Sequence, residues 1–189
     1  MNTPAHLLLG VAVCARRDLP RTGTMAALGS LIPDLSLCFL AGISLFVLRI
    51  PPETVFAELY FSPAWQAVFA VDNSFLVWGL ILLVGAAWRS AAAVAFSAAG
   101  LLHLAADFLL HNDDARRHFW PVSTWIFESP LSYWDSAHHA AVVAPIAFAV
   151  ALIAGIVLWR RWDRWSVRFG VVIACALEAW VMRQWLVFF

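Results

Sequence analysis

Apolar residues run along this chain in long blocks, and polar residues collect in the short stretches between them. Five blocks qualify as membrane-crossing helices: residues 25–48, 63–88, 91–110, 140–159 and 167–189. Each reaches the ~20 residues that cross a hydrocarbon core. The second is interrupted by Asp72-Asn73-Ser74 and is expected as two pieces, the first opened by Ser62 as N-cap and Pro63 at the first helical position. A sixth block, residues 4–15, is too short to span; with Thr3 as N-cap and Pro4 behind it, it predicts a half-length or re-entrant helix. Such a piece is tolerated at membrane depth when protein surrounds it. The blocks are rich in Ala and Leu without strict alternation, so strands are not expected. The pattern predicts an all-α, polytopic transmembrane helix bundle of about five spans plus a short N-terminal half-helix. Residues 1–189 form one integral membrane domain, with the 111–138 loop contributing to its site.

Composition agrees with the pattern. The chain is 63% hydrophobic and 13% charged, where a soluble domain runs roughly 45–50% apolar and about 25% charged. Its mean hydropathy is +0.81. A disordered protein, a secreted disulfide scaffold and an ordinary cytosolic enzyme are excluded. The lipid bilayer is the expected surrounding. Twelve basic residues, all Arg, balance twelve acidic ones. With no basic surplus to hold a phosphate backbone, no nucleic-acid partner is expected. Cys14, Cys38 and Cys175 stand alone in apolar stretches and suggest neither a disulfide framework nor a CxxC metal site. No positively charged segment precedes the first apolar run, so a removable signal peptide is not expected.

Arginine placement gives an orientation. With Arg16, Arg17 and Arg21 cytoplasmic, alternation of the spans also puts Arg89, Arg160, Arg161, Arg164 and Arg168 on that side and leaves Arg49, Arg116, Arg117 and Arg183 opposite. The expected location is the bacterial inner membrane, with the 111–138 loop facing away from the cytoplasm.

Ionisable groups inside apolar spans are costly and mark function by default. Here they are His6, Asp34, Asp72, His103 and Asp107, continuing into His111, Asp113, Asp114, His118, Asp135, His138 and His139. Imidazole and carboxylate together are the donors of a divalent metal site. His103, Asp107 and His111 recur at i, i+4 and i+8 on one helical face. At a rise of ~1.5 Å per residue, His6 and Asp34 lie roughly 15 Å from the cytoplasmic edge, His103 roughly 20 Å, and Asp72 and Asp107 roughly 25 Å. Residues from four segments thus fall in one slab, and a shared cavity opening toward the 111–138 loop is the economical explanation. The candidate metal ligands are His6, Asp34, His103, Asp107 and His111. Asp72, His118 and His138 are candidate catalytic acids or bases, and Arg116 and Arg117 are candidate clamps for a substrate phosphate. Blander readings stand beside these. Asp34 after Pro33, and Asp72, can cap helix starts. His103 and Asp107 can be a buried packing pair. Asp113-Asp114 with Arg116-Arg117 can be a solvated loop. Glu178 and Arg183 can pair or snorkel, and Cys38 can be an inert buried thiol.

His6 ahead of a small-residue helix, Leu31-Ile32-Pro33-Asp34, Gly100-Leu101-Leu102-His103-Leu104-Ala105-Ala106-Asp107 and Trp120-Pro121 together resemble the LexA-regulated, membrane-bound, predicted metal-dependent hydrolases. The resemblance runs through short motifs over residues 1–121. It implies a metal-dependent hydrolase with His6, Asp34, His103 and Asp107 as ligands. Where that family carries an HRxxTH-like element, this chain has Val71-Asp72-Asn73-Ser74-Phe75. Asp72 and one of His111, His118 and His138 are then the replacements. Bacterial sequences with similar Asp-Asn-Ser and His-Asn-Asp-Asp patterns are sometimes labelled cobalamin biosynthesis proteins, but no P-loop and no Cys-His nucleophile pair occurs here.

The leading expectation is a membrane-embedded hydrolase using a divalent metal, zinc, on a phospholipid or lipid-linked phosphoester. The alternatives are a non-enzymatic accessory subunit bound to partner membrane subunits, and a transporter or metal-transfer protein. The apolar cytoplasmic halves of the spans argue against the last.

Overall fold

The structure, a computed structural model, describes residues 1–188, with side chains as far as residue 184. It is all-helical, with no strand among the described residues. Helix α1 is Thr3–Cys14 and α2 is Thr22–Gly42, which runs on through a π-helical turn, Ile43–Val47. A short α3, Pro52–Thr54, and a second π turn, Val55–Leu59, lead into α4, Pro63–Asp72, and α5, Phe75–Ala87. Then come α6, Ala91–Leu110, a 3-10 turn Ser136–His138, α7, Ala140–Arg161, and α8, Trp165–Phe188. Five stretches are long and apolar enough to cross a membrane: Thr22–Val47, Pro63–Ala87, Ala91–Leu110, Ala140–Arg161 and Trp165–Gln184. The half-helix over α1 is too short. Large apolar side chains face outward, among them Phe46, Val47, Leu83 and Phe169. That inverted surface belongs in lipid, and the chain is an integral membrane protein.

Boundaries moved where local chemistry was misread. The block expected from Met25 starts at Thr22, because the buried Thr22 hydroxyl meets the Arg16 amide and the Arg16 and Leu19 carbonyls, fastening the loop to the helix. The span expected over 167–189 begins at Trp165, and Phe189 lies outside the described residues. Thr3 does not cap α1; Asn2 holds that position, and the Thr3 hydroxyl donates to Asp34. Nor does Asp34 start a new helix. Helix α2 passes straight through Pro33, leaving Asp34 on its flank. The break between α4 and α5 is capped by Ser74, whose Oγ accepts from the Leu76 and Val77 amides, and Asp72 is simply the last residue of α4.

Helix α1 sits inside the bundle against α2, α6, α7 and α8. Burying a short helix exposes its unpaired ends to an apolar medium, so both ends need partners. At the C-terminus the Arg161 guanidinium donates to the carbonyls of Ala12 (2.7 Å) and Ala15 (3.3 Å). At the N-terminus the Asn2 carbonyl accepts from the amides of Ala5 and His6, and the Asn2 side chain donates to Glu178 at 3.0 Å. Glu178 is therefore buried against α1 instead of pairing with Arg183, which is exposed. Close approach of the helices depends on small residues. A Cβ on Gly10 would strike Ser30 Oγ, and one on Gly29 would strike the Phe96 carbonyl. These two contacts set α1 against α2 and α2 against α6, and the candidate site lies where the three meet.

Candidate metal centre

Asp107 is the focus of the site. Its Oδ1 is 2.9 Å from His6 Nε2 and 3.3 Å from His111 Nε2, and its Oδ2 is 3.0 Å from His103 Nε2. The Met1 nitrogen lies 3.0 Å from the same Oδ1. Asp34 Oδ1 is 3.5 Å from His103 Nε2, and its Oδ2 accepts the Thr3 hydroxyl at 2.5 Å. The rings of His6 and His103 stack at 3.6 Å between centroids. His6, His103 and Asp107 are all buried, with one ligand atom from each within 4.8 Å of the others, and the group could hold a metal ion. The arrangement follows from the helices. His103, Asp107 and His111 share one face of α6 and its C-cap, α1 delivers His6 from the bundle centre, and α2 delivers Asp34.

The outward-facing ring nitrogens fix how these imidazoles are used. His103 Nδ1 is 2.7 Å from the Ser30 carbonyl, an acceptor only, so Nδ1 donates there and Nε2 is the nitrogen turned toward the Asp107 carboxylate. His111 Nδ1 is 2.7 Å from Asp114 Oδ2. Burial pushes the Asp114 carboxyl up, but the His111 hydrogen bond more than offsets this and holds it below its ordinary value. Asp114 is thus ionised and accepts, leaving His111 Nε2 also free to face inward. An acceptor behind each ligating imidazole is the usual support of a metal-binding histidine. His6 Nδ1 and Nε2 are buried without a hydrogen-bond partner; its 2.9 Å approach to Asp107 is close but poorly directed for a hydrogen bond. An orphaned buried imidazole is expensive unless something binds it. The imidazoles of His6 and His103 and the carboxylate of Asp107 are donors of the kind that hold a divalent metal.

A cavity of about 600 Å³ opens beside this cluster. Asp34 and His111 reach it from the cluster, Tyr60 and Phe61 from the segment before α4, and Asp114, Arg116, Tyr133 and Trp134 from the 111–138 loop. Arg116 is 6% exposed, stacked over Phe69 (4.3 Å) and Tyr60 (5.2 Å), and its Nη1 is buried without a partner. Burial pushes the Tyr60 phenol up to about 12, so it stays a neutral donor, here to the Asp114 carbonyl at 3.1 Å.

The remaining candidate residues lie elsewhere. Asp72 accepts from its neighbour Asn73 at 2.7 Å. His118 packs against Phe75 and Phe108 and its Nδ1 donates to the Asn73 carbonyl at 2.9 Å. His138 bonds Asp135 at 2.5 Å within the turn before α7. None of the three joins the cluster or lines the cavity, and Arg117 does not line it either. Sequence reasoning missed the Ser30 carbonyl, Thr3, Tyr60, Tyr133 and the role of Asp114. Cys38, read as a buried thiol, is exposed on the cavity wall, one turn beyond Asp34. No family model, curated protein or solved structure matches the chain.

Proposed function

We propose that this protein is a membrane-embedded, zinc-dependent hydrolase acting on the phosphoester of a lipid or lipid-linked substrate. One observation carries the reading: three imidazole Nε2 atoms converge on a single buried carboxylate, while an acceptor behind His103 and another behind His111 hold those rings with Nε2 turned inward. His6, His103 and Asp107 would hold the ion, with Asp34 and His111 beside them. When bound, zinc supplies a Lewis acid and lowers the pKa of a water to near neutrality.

The chain's own residues supply the rest. Arg116 offers a desolvated guanidinium to an anionic substrate group, and its stacking on Phe69 and Tyr60 fixes the plane of that fork. Asp34 faces the cavity and is placed to take and return a proton there. The roles first assigned to Asp72, His118 and His138 pass to Asp34, which shares the pocket with the substrate. Phe56, Phe61 and Leu37 line the same cavity and suit an acyl or prenyl chain. The arginine bias supports a pocket that opens away from the cytoplasm, as in a protein of a bacterial inner membrane.

The test is metal content, measured by elemental analysis on purified protein together with release of phosphate or headgroup from phospholipid vesicles. Wild type is expected to hold zinc near stoichiometry, and His103→Ala and Asp107→Ala to lose both metal and turnover. Equal, negligible metal in all three proteins would overturn the proposal.

A further inference from the structure

A second cavity, of about 620 Å³, lies at the opposite end of α1 from the histidine cluster. Its mouth carries Arg16, Arg17, Arg21 and Arg164, and its inner wall is made by Leu7, Leu8, Val11, Leu158, Val171 and Ala174. Charges around the mouth are unequal in what they have left to bind. Arg16 is paired with Asp18, and Asp163 on the rim is paired with Arg168. Arg17, Arg21 and Arg164 have no carboxylate partner among the described residues. The platform that holds them is preformed. Thr22 ties the 15–21 loop to α2, and Arg161 clamps the end of α1 and the start of that loop to α7 through the Ala12 and Ala15 carbonyls. The first turn of α8 completes the rim with Ser166 and Val167, so its helix dipole adds to the positive field.

We propose that this cavity binds an anionic phospholipid of the surrounding leaflet, its phosphate on Arg17, Arg21 and Arg164 and an acyl chain along the apolar wall. Charge complementarity decides the headgroup: three unpaired cations at the level where lipid phosphates lie select a net-negative lipid over a zwitterionic one. Continuity from a cationic mouth to an apolar wall decides for a lipid over a soluble anion. The site is remote from the proposed metal centre, so it stands or falls independently of the hydrolase reading.

The test is native mass spectrometry of the detergent-purified full chain, titrated with phosphatidylglycerol, with phosphatidylcholine of the same acyl chains, and with glycerol 3-phosphate. Wild type is expected to retain phosphatidylglycerol over phosphatidylcholine and to ignore glycerol 3-phosphate. The triple variant Arg17→Gln/Arg21→Gln/Arg164→Gln is expected to lose phosphatidylglycerol retention by roughly tenfold or more. Arg89→Gln, which removes a cation outside the cavity, is expected to retain it as wild type does. A second route leaves the arginines in place. Gly170 lines the cavity and a Cβ there meets nothing within 4 Å, so Gly170→Leu adds apolar bulk at the wall from an unobstructed Cβ. It too is expected to lose the lipid, which keeps the proposal testable if the triple variant does not fold. Equal retention of the two lipids by wild type, undiminished retention by Gly170→Leu, or equal competition by glycerol 3-phosphate would each overturn it.

Discussion

At the scale of single residues, Asp107 poses the central electrostatic problem. A carboxylate with 6% exposure, set among three imidazoles in an apolar bundle, is costly unless cations surround it. The Met1 amino group 3.0 Å away offsets part of that cost; in the proposed hydrolase a divalent ion held by His6, His103 and Asp107 would offset the rest, and the residues behind the ligands would tune its affinity. Behind the imidazoles, Asp114 is the partner that substitution can remove, since the partner of His103 is a backbone carbonyl. Its carboxylate accepts from His111 Nδ1 and also from Trp134 Nε1 at 3.2 Å. Asp114→Ala is expected to weaken zinc binding by about 10–100-fold in chelator competition. Asp114→Asn, which keeps a neutral acceptor, should fall between that variant and wild type. An unchanged zinc affinity in Asp114→Ala would mean that His111 takes no part in holding the ion.

At the scale of elements, the site depends on how closely α1, α2 and α6 approach. Gly29 lets the backbone of α2 meet the Phe96 carbonyl of α6, one residue before the Ser30 carbonyl that orients His103. Gly29→Val is expected to force these helices apart, at about 1–3 kcal/mol of stability. The same variant should lose zinc in parallel, as read by thermal unfolding and elemental analysis of one preparation. Retained zinc would show that Ser30 is dispensable. This dependence explains what the sequence made legible. His103, Asp107 and His111 could be grouped in advance because helix periodicity alone puts them on one face. His6 and Asp34 could be added because depth along a helix is countable. The break at Asp72-Asn73-Ser74 was visible from three polar residues in an apolar run, though not which of them capped α5. Ser30, and the part Asp114 plays behind His111, were illegible, because a backbone carbonyl has no sequence signature and the path of the 111–138 loop is set by tertiary contacts. His118 and His138 carry the same side chain as the cluster histidines. Only the Asn73 carbonyl and Asp135 reveal that they are engaged elsewhere.

At the scale of the whole molecule, the 111–138 loop closes the end of the bundle over the candidate site and is stitched to it at several points. The Ser74 hydroxyl donates to the Trp120 carbonyl at 2.5 Å, the Phe75 amide to the His118 carbonyl at 2.8 Å, and the Ser129 hydroxyl to the Leu109 carbonyl at 2.6 Å. His118 is the stitch that titrates. Burial among Phe75 and Phe108 holds its imidazole below the ordinary 6.5, only partly opposed by its bond to the Asn73 carbonyl. A released loop takes up that proton near pH 6.5, so the stability His118 contributes is complete above 6.5 and is lost as the pH falls through the lower folded value. His111 carries the opposite sign. Burial pulls its imidazole down, but Asp107 and Asp114 overbalance this and raise it, so its contribution is greatest in acid and fades as the pH rises. The two must be separated by mutation and not by pH alone. Hydrogen exchange over residues 111–138, corrected for intrinsic rates, is expected to show the wild-type loop opening more often at about pH 5.5 than at about pH 7.5. His118→Gln keeps a donor for Asn73 and has no proton to gain, so its loop should lose the acid-induced opening and keep only the opposite dependence set by His111. Equal acid-induced opening in wild type and His118→Gln would show that His118 is not the group whose protonation releases the loop.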